Sequence, residues 1–127
     1  VPGVFACGNV LHVHDVVDFV TIESEQAGKS AAEYVLGKQK QLQRITVHPG
    51  NGVCYVLPNR ISKNSDVELL FRVLCPTEDA SIGFFDGKKL VKTKKFRKVH
   101  PAQMIKVKLS KTETSDISGL RVEVLQK

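Results

Sequence analysis

The spacing of apolar positions changes character twice along this chain. Val4-Phe5-Ala6-Cys7 is an unbroken apolar run, which predicts a short strand buried on both faces of a sheet and ended by Gly8. From Asp15, a good N-cap residue, apolar or small residues recur at Val16, Val17, Val20, Ala27, Ala31, Tyr34 and Val35, while Asp18, Glu25, Lys29 and Glu33 hold the other side. That period is helical and predicts one helix running to about Leu36, with Gly37 as its stop. Gly28 lies inside it, where glycine costs about 1 kcal/mol relative to alanine. The thin stretch Ala27, Gly28, Ser30, Ala31, Ala32 therefore predicts a face against which another backbone packs closely.

After the polar connector Lys38-Gln39-Lys40-Gln41, β-branched and aromatic runs alternate with turn residues. Strands are predicted at 43–48, 53–57, 66–75, 81–85, 88–95, 103–109 and 120–126. Turns are predicted at Pro49-Gly50-Asn51-Gly52, read as a hairpin connection, at Pro76-Thr77, and at Asp86-Gly87, where Phe84 to Lys89 carries a strong hairpin signal. Ile105, Val107 and Leu109 alternate with Lys106 and Lys108, and Leu120, Val122 and Val124 with Arg121 and Glu123, so each strand has one wet face. The expected fold is mainly β with one long N-terminal helix: residues 1–40 form a strand and helix, and 41–127 an immunoglobulin-like β-sandwich. The Cys, Trp, Cys hallmark of true immunoglobulin domains is missing, so that name describes architecture only.

The pattern Pro2-Gly3-Val4-Phe5-Ala6-x-Gly8-Asn9, followed by a helix carrying Ala27-Gly28-x-x-Ala31-Ala32, resembles the C-terminal signature of FAD-dependent pyridine nucleotide-disulfide oxidoreductases. The resemblance covers roughly the first 38 residues. It implies that the strand and helix are the remnant of an FAD-binding α/β domain, and that Gly8 and Asn9 contact the ribityl chain of the flavin. It also implies that backbone N–H groups near Val16 and Val17, at the positive end of the helix dipole, face the flavin ring. Asn9 stands where the family carries an aspartate, so its side-chain oxygen can accept a hydroxyl proton but brings no charge. The fingerprint Gly-x-Gly-x-x-Gly is not found in the 127 residues, so the FAD and NAD(P) cradles are expected elsewhere, in the rest of the oxidoreductase or a partner subunit. The isolated chain is expected to be inactive, with no catalytic residue of its own.

The remaining chemistry is sparse. Cys7, Cys54 and Cys75 form no Cys-x-x-Cys pair and are expected to be buried free thiols. His12 and His14 stand at i, i+2, which on an extended segment sends the rings to opposite faces, so no metal site is expected; one of them near the flavin edge is a candidate acid or base. His48 and His100 precede prolines and are assigned to loops. The net charge of +6 is concentrated between Lys88 and Lys108, where nine Lys or Arg meet no acid. That run reads as a solvated face or an edge strand whose lysines discourage strand-to-strand pairing; docking on an acidic subunit is another use, and nucleic-acid binding is disfavoured because Phe96 is its one interleaved aromatic.

No stretch approaches the roughly 18 apolar residues of a membrane span, and the first residues lack a basic leader, so a cytoplasmic protein with no membrane partner is expected. The alternative function is a stand-alone protein-interaction module that oligomerises, as a homodimer, through its N-terminal arm. On either reading the arm's apolar run is expected to be disordered, folded on the sandwich or paired with another molecule.

Overall fold

The computed structural model describes residues 3–38 and 43–125. Pro2 of the motif, Gln39 to Gln41 of the connector and Gln126 of the last predicted strand lie outside the described residues. The chain divides into two units, Val1–Gln41 and Leu42–Lys127.

In the second unit, eight strands form two sheets: β1 (Arg44–Pro49), β2 (Val53–Leu57), β3 (Arg60–Ser62), β4 (Val67–Val73), β5 (Thr77–Asp86), β6 (Lys89–Val99), β7 (Ile105–Leu109) and β8 (Leu120–Leu125). One sheet has the order β3-β1-β8-β5-β6 and the other β2-β4-β7. All pairs are antiparallel except β1 with β8, which run parallel with Val47 opposite Leu120. The expected sandwich is present, with eight strands rather than seven.

Period-2 alternation supplies the core. Leu69, Phe71 and Val73 of β4 and Ile105, Val107 and Leu109 of β7 are buried from one sheet; Ile45 and Val47 of β1, Ile82 and Phe84 of β5, and Leu120 and Val122 of β8 are buried from the other. The rings of Phe71 and Phe84 meet edge to face across the two sheets, with centroids 6.2 Å apart. Full burial of a side chain of this size contributes about 1.5–3 kcal/mol.

Five local expectations are corrected. The turn Pro49 to Gly52 joins β1 in one sheet to β2 in the other, so it is a crossing rather than a hairpin. Residue 77 opens β5 instead of ending a turn, and His48 lies within β1, not in a loop. The β5–β6 hairpin pairs Asp86 with Lys89, leaving Gly87 and Lys88 as its two-residue loop; Gly87 takes the positive φ of +59° that the first loop position needs. Cys54 and Cys75 are free but exposed, and Cys7 is half-buried, because Cys54 occupies an outward position of β2 and Cys75 lies beyond the end of β4.

The first unit contains a 3₁₀ turn, Gly8–Val10, and one helix, α1 (Val17–Val35). Val16, not Asp15, occupies the N-cap, in extended conformation and without a side-chain hydrogen bond. At the other end Gly37, with φ +65°, donates its amide to the Tyr34 carbonyl and Lys38 donates to that of Glu33, closing the helix as expected. The segment Val4 to Cys7 is not a strand. A doubly buried strand needs neighbours on both sides; here the arm instead runs back along α1, with Phe5 edge-on to Tyr34 at 6.0 Å. Val4 and Phe5 are exposed.

Candidate functional site

Side chains capable of chemistry in the first unit converge where the arm turns over α1. Gly8 has φ +70°, a conformation that favours glycine, and starts the 3₁₀ turn. Its carbonyl accepts from the amides of Leu11 (2.9 Å) and His12 (3.3 Å), and its own amide donates to Oε2 of Glu23 at 2.6 Å. Leu11 follows in the right-handed helical region, so the chain bends immediately before His12.

That bend corrects the expectation for the histidine pair. His12 and His14 do not continue a strand, and their rings lie on one side with centroids 4.2 Å apart. His12 Nε2 lies 2.8 Å from Glu23 Oε1, and His14 Nε2 2.9 Å from Glu23 Oε2. Both imidazole side chains are nearly enclosed, 3% and 4% exposed, whereas Glu23 keeps 18% of its side chain accessible. Burial pushes the Glu23 carboxyl up, but hydrogen bonds from His12, from His14 and from the Gly8 amide outweigh it and hold the group below its ordinary value. An ionised carboxylate thus receives three donors.

Glu23 was not legible as a site residue from spacing alone, but a signal exists. The half-buried stripe of α1 comprises Phe19, Val20, Glu23, Ala27, Ser30 and Ala31. A carboxylate on a stripe of otherwise apolar or small residues must find donors, and the turn before α1 supplies them.

The remaining residues implied by the resemblance are distributed around this cluster. Asn9 is exposed, and its Oδ1 accepts from the His14 amide at 3.4 Å. Val16 and Val17 are exposed at the start of α1, whose first turn also carries Asp18. Gly8 itself is buried, with both its backbone groups engaged.

Among the described residues the second unit has a broad concavity of about 560 Å³, lined by residues including Asp66, Glu68, Lys92, Lys108, Ser110 and Glu113. Lys92 Nζ lies 3.0 Å from Glu113, and Asp66 accepts from the backbone amide of Lys111 at 2.8 Å. Its one hydroxyl beside a carboxylate is Ser110, whose Oγ donates to Glu113 Oε2 at 3.1 Å, but that same oxygen is already held by the Ser110 amide at 2.7 Å and by Lys92 at 3.0 Å. No helix among the described residues is long and apolar enough to cross a membrane. Comparison with protein-family models, with curated proteins and with solved structures gives no match.

Proposed function

We propose that this chain is the C-terminal part of a cytoplasmic FAD- and NAD(P)-dependent oxidoreductase, in which residues 3–38 complete the flavin-binding domain and the β-sandwich serves a structural or partner-binding role. The observation that carries this reading is the state of the first unit's apolar surface. α1 has 19 residues and none of them is buried, while Val4, Val10, Val13, Val17, Ile22, Val35 and Leu36 are all more than half exposed. A Cβ added at Gly28 would meet nothing within 4 Å, so the helix is open at that position. The arm and helix enclose Gly8 and the two imidazoles but leave most of their apolar side chains exposed, and a neighbouring sheet is what those residue types suit.

The donor set fits a flavin with one change of emphasis. Gly8 forms the turn and spares the space of a side chain, but its amide and carbonyl are committed internally. Asn9, exposed and accepting only a long bond from His14, is the residue to receive a ribityl hydroxyl. Val16 and Val17 open α1 without a side-chain cap, leaving the positive end of the dipole to an electron-rich ring edge. FAD, when bound, supplies the electron transfer between nicotinamide and acceptor; these residues orient it and carry no proton of their own.

The test is FAD affinity of the gene product in its natural length, with Asn9→Ala compared against the parent. Loss of one polar contact should weaken FAD several-fold, about 1 kcal/mol. Unchanged affinity would remove Asn9 from the site. The same exposed residues also suit the second reading, in which the arm joins two copies of the chain; a dimer that dissociates on Val17→Asp, with no flavin in either form, would favour it.

A further inference from the structure

We propose that His12, His14 and Glu23 form a zinc-binding site. Three potential ligand atoms, one from each residue, lie within 4.8 Å of one another. Zinc binds imidazole nitrogen and carboxylate oxygen at about 2.0–2.2 Å, which in a tetrahedron separates neighbouring ligand atoms by about 3.4 Å. His12 Nε2 lies 2.8 Å from Oε1 and His14 Nε2 2.9 Å from Oε2, so whichever oxygen Glu23 offers starts with one imidazole nitrogen closer than this edge, and the three ligand atoms need only local adjustment to surround an ion. Two imidazoles exclude calcium and magnesium, which take oxygen donors, and zinc's lack of a geometric preference suits a set built on one bend and one helix turn.

The surroundings are those of a ligand set held in place. Both rings are nearly enclosed, so their orientation is fixed by packing, and the Gly8 amide at 2.6 Å holds Oε2 of Glu23, the oxygen that faces His14, leaving Oε1 beside His12 as the freer donor. Glu23 is the partly accessible member, and three protein ligands leave the fourth position of a tetrahedron for a water. Coordination requires each Nε2 to present its lone pair, so a neutral ring carries its proton on Nδ1 in the metal-bound form.

The experiment uses the full chain, stripped with EDTA and titrated with zinc chloride, without any flavin, so its outcome is independent of the flavin reading. One equivalent is expected to bind, and His12→Gln or His14→Gln is expected to weaken it by about 100-fold, no less than removal of an outer-shell partner costs. Because either variant could disturb the turn, the parent chain provides a second readout: imidazole ¹⁵N shifts on adding zinc. Large changes at His12 and His14 Nε2, with His48 and His100 unmoved, would support the site. Absence of binding, or changes confined to His48 and His100, would overturn it.

Discussion

The carboxylate of Asp86, the last residue of β5, accepts both the hydroxyl of Ser118 at 2.9 Å and its amide at 3.2 Å, tying the β5–β6 hairpin to the segment leading into β8. The Gly119 amide adds a third bond at 3.1 Å. The Ser118 hydroxyl is the largest influence holding the Asp86 carboxyl below its ordinary value of 3.8, with the two amides and Lys89 adding to it against a smaller opposing effect of burial. A carboxyl depressed in the folded state binds a proton less readily there than in the unfolded chain, so its contribution is full above about pH 5 and lost as pH falls through the folded value. Asp86→Asn should cost about 1–2 kcal/mol at neutral pH by urea unfolding, and the gap from the parent should narrow in acid. A gap that stays constant down to acid pH would show that the charge is not what holds the hairpin.

Thr114 is a polar group inside the second unit. It is fully buried, with Oγ1 within 2.8 Å of the Ser65 carbonyl and 3.2 Å of the Ser65 amide, linking the loop before β4 to the loop after β7. Thr114→Val keeps the shape and leaves Ser65 unsatisfied, so a loss of about 1–3 kcal/mol is expected in thermal or urea unfolding. A neutral result would mean that water replaces the hydroxyl.

Gly52 combines two constraints. Its φ is +74°, and a Cβ there would lie 2.9 Å from Cβ of Val124 on β8. Gly52→Ala should destabilise the sandwich by about 1–3 kcal/mol, whereas Gly87→Ala, with positive φ but open space around it, should cost less. Equal effects at the two positions would assign the whole cost to φ.

β6 ends the five-stranded sheet, and its exposed residues include Lys94, Lys95, Arg97 and Lys98. The edge-strand use of the basic run is therefore available to it. Replacing Lys94, Lys95 and Arg97 with threonine keeps strand propensity and removes the repulsion. Light scattering should report self-association that the parent lacks at low salt; a variant that stays monodisperse would point to another role for these charges.

Regular alternation made β7 and β8 legible, because Ile105 to Leu109 and Leu120 to Val124 repeat with period 2 and bury one face. β3 was not, since its three residues hold a single buried position, Ile61, too little for a pattern. The hairpin's existence was readable from Asp86-Gly87, but its register depended on cross-strand pairing that leaves Asp86 in the strand and bonded to Ser118. Val4 to Cys7 misled because a short apolar run has no period, and only neighbouring strands decide whether it pairs. The histidine cluster was hidden for a related reason: residue spacing predicts ring direction only if the backbone stays extended, and the turn at Gly8–Val10 and the bend at Leu11 break that condition.

The central claim is that residues 3–38 belong to a flavin-binding domain. Its most direct test is the visible absorption spectrum of the gene product purified in its natural length, followed by identification of any nucleotide released on denaturation. A yellow protein releasing about one FAD per chain is the predicted result. A correctly folded, colourless protein that takes up no FAD when it is supplied would contradict it.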